Sequence, residues 1–222
     1  MKWPMQIYIL FLCLSLMLQQ TLQAPKEQIK YQGSSSYTQS VFYERLTSTN
    51  KEDVRSNMVN IAKSQIGYME GGSKKQLDGT KISSGNYTEY GSWYGMQDAW
   101  CAMFVSWCAN LAGETNIPKH ASCTSGLKAL QKQGIAHTRQ SVANGDYIPQ
   151  PGDVVYFANK ATLSSGKLSS HVGIVVKYEN GILYTIEGNT SSNDKSIKTG
   201  GMVAEKSYKI SNTYIIYVCE LI

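Results

Sequence analysis

The sequence has no block of lysines and arginines. Its 21 basic and 16 acidic residues are interspersed, and the formal charge is only +5. Nucleic-acid binding usually requires a denser basic stripe, so that class is set aside. The mild positive balance suits anionic surroundings such as a cell wall or a membrane face. There is no Cys-x-x-Cys and no pair of closely spaced histidines. The usual zinc spacings are therefore missing, and neither a metal nor a cofactor is expected. No internal repeat is visible, which argues against a solenoid. The apolar run at residues 8–18 is too short to span a bilayer comfortably. Histidine is scarce, with His120, His137 and His171 making up the whole set. Any chemistry needing an imidazole has few places to find one.

The 222 residues suffice for one domain with a substantial core, or for two very small ones. Hydrophobic residues make up 42%, which is ordinary for a folded protein. Residues 1–24 read as a targeting segment: Lys2 gives a positive start, residues 8–18 form a signal-like apolar core, and Ala24 stands at a plausible cut. Leu22 in place of a small residue, and Pro25 after the cut, leave an uncleaved membrane anchor as the other reading. Both readings export the remainder, and a secreted location is expected. Residues 25–49, rich in Ser, Gln, Tyr and Thr, read as a flexible arm. A globular domain is expected over 50–222.

Past residue 50, Asn50 reads as an N-cap, and Val54, Met58, Ile61, Ala62 and Ile66 fall on one helical face that ends at Gly67. Residues 71–86 read as a surface loop. Residues 98–109 are apolar on nearly every side and suit a buried helix, with Asp98 as its cap and Cys101 in its first turn. A short helix is expected over 125–133. Strand patterns then take over at 154–157, 171–178, 182–189, 202–210 and 214–221, with 159–170 as a polar loop. Helices followed by strands predict an α+β domain with an antiparallel sheet.

A cysteine nucleophile needs a lowered thiol pKa, an adjacent base and access to substrate. An isolated cysteine in an apolar helix is most often core packing, and Cys108, two turns into the helix, fits that description. Cys101 differs because a helix N-terminus stabilises a thiolate and can supply oxyanion donors. Among the histidines, His171 begins a strand and would be firmly held, whereas His120 and His137 lie in loop-like stretches and read as surface residues. Residues 179–181 read as a three-residue hairpin loop. That register pairs Gly173 with Glu187 and His171 with Asn189, putting both Glu187 and Asn189 on the histidine's face as orienting groups. A two-residue turn at Asn180-Gly181 would move Glu187 to the other face. Gln97 is a candidate oxyanion donor, and Trp93, Tyr94 and Trp100 a candidate aromatic wall.

Four blocks stand in order: Trp100-Cys101-Ala102-Met103-Phe104-Val105-Ser106-Trp107-Cys108, Pro151-Gly152-Asp153-Val154-Val155-Tyr156-Phe157, His171-Val172-Gly173-Ile174-Val175 and Ile186-Glu187-Gly188-Asn189. Together they closely resemble the CHAP family of cysteine, histidine-dependent amidohydrolases and peptidases. The resemblance implies a papain-like α+β fold, N-terminal helices packed on a C-terminal antiparallel β-sheet. It implies Cys101 as nucleophile, His171 as base, Glu187 as orienting acid and Asn189 as a supporting polar residue. It also implies peptidoglycan amide bonds as substrate, either N-acetylmuramoyl-L-alanine or bonds in the stem and cross-bridge peptides. Some family members act instead on glutathionylspermidine, and a few bind calcium near the nucleophile. Only Glu89 and Asp98 lie in that neighbourhood here, so no calcium site is expected.

The expected partner is therefore peptidoglycan or a wall-derived peptide, with the chain a monomer and membrane contact only if the N-terminal segment stays. A non-catalytic wall-binding protein on the same fold is the rival reading. Of five cysteines, Cys13 lies in the targeting segment. Cys101, Cys108, Cys123 and Cys219 remain, and a free Cys101 leaves an odd number to pair, so no disulfide framework is expected.

Overall fold

Helices predominate up to residue 132 and strands from residue 154 onward, as the change in apolar period predicts, with a short strand and two short helices between and among them. The computed structural model describes residues 26–192 and 200–222. The expected targeting segment at 1–24 lies outside the described residues. The helices are α1 (Val41–Thr47), α2 (Val54–Ser64), α3 (Glu89–Tyr94), α4 (Cys101–Ala112), α5 (Cys123–Lys132), α6 (Arg139–Asn144) and α7 (Lys160–Ser164). The strands are β1 (Ala136–Thr138), β2 (Val154–Phe157), β3 (His171–Glu179), β4 (Ile182–Thr190), β5 (Met202–Lys209) and β6 (Ile215–Cys219). They form one antiparallel sheet in the order β1-β6-β2-β3-β4-β5. The α+β architecture is the one expected.

Side chains cap most helix starts. Ser40, Thr88 and Ser122 accept from the backbone N–H three residues on, at the heads of α1, α3 and α5. Asp53, rather than Asn50, caps α2, by accepting from Ser56 N. Helix α4 is different. Trp100 precedes it with no side-chain cap bond, and the expected cap Asp98 instead accepts from Ala99 N at 2.7 Å. The first-turn N–H groups of α4 are therefore not consumed by a cap, and Cys101 is the first helical residue.

Helix α4 is buried nearly all round, as its composition requires. It packs on α2 and α3 on one side and on β3 and β4 on the other. A Cβ at Gly188 would lie 2.7 Å from Phe104 Cβ and 2.8 Å from the Trp100 ring, so only glycine lets the helix sit this close to β4. Trp100, Phe104 and Trp107 are fully buried, each contributing roughly 2–3 kcal/mol of hydrophobic stabilisation.

Residues 26–49 do not behave as an arm. A 3₁₀ turn (Tyr37–Gln39) and α1 lay Tyr37, Phe42 and Leu46 into the main core, and Ile29, whose N–H donates to Thr49 O, joins them. The buried Glu89 carboxylate ties the segment down, accepting from Tyr31 Oη at 2.7 Å, Ser34 N at 3.0 Å and Ser34 Oγ at 2.5 Å. Large aromatics set among serines carry no helical or strand period, so the composition reads as linker while the rings supply core. Glu89 is committed to this latch. Strand β1, α6 and α7 were not anticipated either, and α7 lies inside the expected 159–170 loop.

The turn of Pro151-Gly152-Asp153 anchors the sheet. Asp153 has no exposed surface and accepts from Arg55 Nη1 (2.8 Å), Tyr147 Oη (2.6 Å), Gln150 N (2.8 Å) and Leu221 N (3.0 Å). One carboxylate thus joins α2, the lead-in to β2 and the chain after β6.

Candidate active site

The packing of α4 on β3 brings the head of the helix to the head of the strand. Cys101, the first residue of α4, and His171, the first of β3, meet there. The Cys101 sulfur is 3.6 Å from Cys123 Sγ and is also approached by the His171 side chain and by the Val172 backbone N–H. Its thiol is held well below the ordinary value. Donation from Cys123 is the largest cause. Burial works against it, and His171 and the Val172 N–H add to the stabilisation. The other cysteines go the opposite way: burial pushes the Cys108 and Cys219 thiols up. No disulfide joins Cys101, Cys108, Cys123 and Cys219, all of which are buried.

His171 Nε2 lies 2.8 Å from Glu187 Oε2. That leaves Nδ1 for the Cys101 side. Glu187 is 1% exposed and fully engaged, since Thr185 Oγ1 donates to Oε1 at 2.7 Å and Tyr208 Oη to Oε2 at 3.2 Å. Burial alone would lower the imidazole's pKa, but the hydrogen bonds and charges of Cys101 and Glu187 outweigh it and push it up to about 10. The lowered thiol and the raised imidazole together favour a thiolate–imidazolium pair beside the buried Glu187 side chain. Phe157, paired with His171 across β2 and β3, sets its ring 5.7 Å from the imidazole.

The route to Glu187 differs from the expected one. The hairpin turn has two residues, Asn180 and Gly181, both with positive φ (52° and 73°), and Glu179 pairs with Ile182. By itself that register would send Glu187 to the far face. A bulge between Val175 and Lys177 inserts one residue and restores the pairing to Ile174 with Ile186. Continuing it sets Gly173 opposite Glu187, where a Cβ on Gly173 would lie 2.7 Å from Glu187 Cγ.

Asn189 is not brought to His171. Its φ is +55°, the β4–β5 register shifts between Glu187 and Thr190, and its Oδ1 accepts from Gly201 N at 3.3 Å. Among the described residues no hydrogen bond joins it to the imidazole. Gln97 is exposed and donates Nε2 to Gly85 O at 2.8 Å. Trp100 is core, stacked on Tyr90 and donating Nε1 to the buried Glu70 at 2.9 Å. Trp93 and Tyr94 remain half-buried, with the Lys119 ammonium 4.2 Å and 5.0 Å from their ring centres. His120 is buried, not a surface residue. It sits against Ser106, the Pro118 carbonyl and Tyr156 Oη, and burial lowers its pKa. His137 lies on β1, stacked on Tyr147 at 3.7 Å.

Three supporting residues escaped the sequence reading. Thr185 was within reach, two positions before Glu187 on the same strand face. Tyr208 comes from β5 and Cys123 from the head of α5, both through tertiary packing.

Residues 93–189 match the family model described as the CHAP domain. That stretch, a little under half of the chain, is similar to the CHAP domain. The CHAP family comprises cysteine amidases and peptidases, hydrolases that attack amide bonds. No curated protein matches the chain. One similar solved structure is a NlpC/P60 family protein from Bacillus cereus ATCC 10987, 12% identical over 78% of this chain and 42% of that one, with a TM-score of 0.43. Another is Ly7917, 16% identical over 76% of this chain and 62% of that one, with a TM-score of 0.37. The chain thus spans less than two thirds of the length of either. The cysteine helix packed against a histidine-bearing antiparallel sheet is the helix-on-sheet arrangement that the sequence resemblance implies.

Proposed function

We propose that this chain is a secreted cysteine amidohydrolase that cleaves amide bonds of peptidoglycan, either N-acetylmuramoyl-L-alanine or peptide bonds of the stem and cross-bridge. The observation that carries the catalytic part is the placement of His171 between the Cys101 sulfur and the Glu187 carboxylate, with Nε2 2.8 Å from Oε2. The signal-like segment at 1–24, the net charge of +5 and the CHAP resemblance support the exported, wall-directed part.

The Cys101 thiolate attacks the amide carbonyl carbon, and the carbonyl oxygen takes the negative charge. Uncapped N–H groups at the head of α4 are the donors closest in chain to that oxyanion. The His171 imidazolium gives its Nδ1 proton to the amide nitrogen, the C–N bond breaks, and the amine leaves. The thioester carbon then meets a water whose proton His171 takes. The C–S bond breaks, the acid product departs, and thiolate and imidazolium are restored. Glu187 accepts from His171 Nε2 and fixes the ring's orientation and tautomer.

Release of soluble fragments from purified peptidoglycan, before and after stoichiometric iodoacetamide alkylation of Cys101, tests this reading. Release by the untreated chain and its loss on alkylation are expected. Equal release by both chains, or none by the untreated chain, rejects it.

A further inference from the structure

The heads of two helices converge on one sulfur. Cys101 is the first residue of α4 and Cys123 the first residue of α5, and their sulfurs are 3.6 Å apart. Cys123 is 6% exposed, and among the described residues Cys101 is the hydrogen-bond partner of its thiol. The neighbouring Thr124 holds the other side of the site. Its Oγ1 donates to Ser169 O at 3.1 Å and accepts from Leu168 N at 3.1 Å and Ser169 N at 3.2 Å, on the stretch that leads into His171. The first turn of α5 is thereby tied to both partners of the thiolate–imidazolium pair. Gly126, one turn on, lets α5 approach closely: a Cβ there would lie 2.3 Å from the His120 ring and 2.8 Å from Tyr156 Oη.

We propose that Cys123 is a positioning residue for the nucleophile, its S–H donating to the Cys101 sulfur so that Cys101 remains a thiolate at neutral pH and points toward His171. The inference rests on the reading of Cys101 as nucleophile. Of the two thiol protons, the sulfur that faces His171 passes its own to the imidazole, and the other sulfur keeps its proton and donates it to the resulting thiolate. The opposite pKa directions, Cys101 lowered and Cys123 raised, agree with that division. A sulfur that merely filled space would be replaceable by any small apolar group. A donor is replaceable only by another donor.

The experiment is alkylation of the folded full chain with iodoacetamide across pH, with the Cys101 and Cys123 peptides resolved by mass spectrometry. Thermal melts check that each variant is folded. Cys123→Ala is expected to raise the Cys101 midpoint by about 1–2 pH units, the worth of one hydrogen bond to a charged group. Cys123→Ser, which keeps a donor, is expected to recover at least half of that shift. In Cys101→Ala, the Cys123 midpoint is expected to fall, because its thiolate acceptor is gone. This arm carries the test if Cys123→Ala does not fold. A Cys101 midpoint unmoved in Cys123→Ala, a Ser variant as shifted as the Ala variant, or a Cys123 midpoint indifferent to Cys101→Ala overturns the proposal. No substrate is used, so failure here leaves the peptidoglycan reading standing, and failure of that reading leaves these midpoints unchanged.

Discussion

His171 reaches Glu187 at 2.8 Å because one extra residue, in the bulge between Val175 and Lys177, shifts the β3–β4 hairpin back into register. The two-residue turn and the bulge are each a one-residue change, and they cancel at the strand end that carries the site. Val176 is the extra residue, so deleting it should join Val175 opposite Thr185 directly to Lys177 opposite Tyr184 and leave Glu187 on the histidine's face. Hydrolysis should therefore be retained by the deletion variant. Circular dichroism should still report a folded α+β domain. A fall in turnover of about 10²-fold or more, the scale of losing an orienting carboxylate, would count against the register argument.

Glu187→Gln keeps the shape and removes the charge. The imidazolium loses a stabilising carboxylate that it now holds at 2.8 Å. The basic limb of the pH–rate profile should move down from about 10, and kcat should drop about 10²-fold. Steady-state kinetics across pH read both effects. A profile that keeps its basic limb would show that Cys101 alone sets the histidine.

In the wild type, activity should rise as pH climbs through the depressed Cys101 value. It should hold through neutrality and fall as pH passes about 10, where His171 loses the proton it donates. The stability sign follows from the same shift. His171 titrates near about 6.5 when unfolded and about 10 when folded. Its stabilising contribution is complete below the unfolded value and is lost as pH rises through the folded one. The difference in urea midpoint between wild type and His171→Ala should accordingly shrink between pH 7 and pH 10. A constant difference would contradict the raised value.

Asp153 is a structural hub remote from the reacting groups. Asp153→Ala strands Arg55 and removes the acceptor for Tyr147, Gln150 N and Leu221 N. A loss of about 3 kcal/mol or more in unfolding free energy is expected from urea denaturation. A loss below about 1 kcal/mol would mean that water replaces these bonds without cost.

Removing residues 1–49 should unfold the rest rather than merely untether it. Ile29, Tyr37, Phe42 and Leu46 are all buried. At roughly 1.5–3 kcal/mol each, their loss is comparable with the whole stability of an ordinary domain, about 5–15 kcal/mol. Limited proteolysis should find residues 26–49 protected in the full chain. Rapid cleavage there would restore the picture of a loose arm.

Much of the architecture was legible from period and punctuation. Strand β2 and the β3–β4 hairpin stand out, although its turn holds two residues rather than the expected three, and Cys101, His171 and Glu187 could be set side by side. What escaped has specific physical causes. Ile174, Val175 and Val176 are all apolar, so no alternation marks the bulge. Asn189 sits in the left-handed region, which turns it out of the strand's facing pattern. Asp98 resembles a cap in isolation, but its carboxylate folds back on the adjacent N–H. His120 reads as solvated because Ser106 and Tyr156, which enclose it, are 14 and 36 residues away in the chain.

The central claim is that the Cys101 thiolate, paired with His171, breaks an amide bond in peptidoglycan. Mass spectrometry of purified peptidoglycan digested by wild type and by Cys101→Ala tests it most directly. Fragments bearing a new amine and a new carboxylate, released by wild type and absent with Cys101→Ala, are the predicted result, and their masses name the bond. Identical product profiles from the two proteins would contradict it.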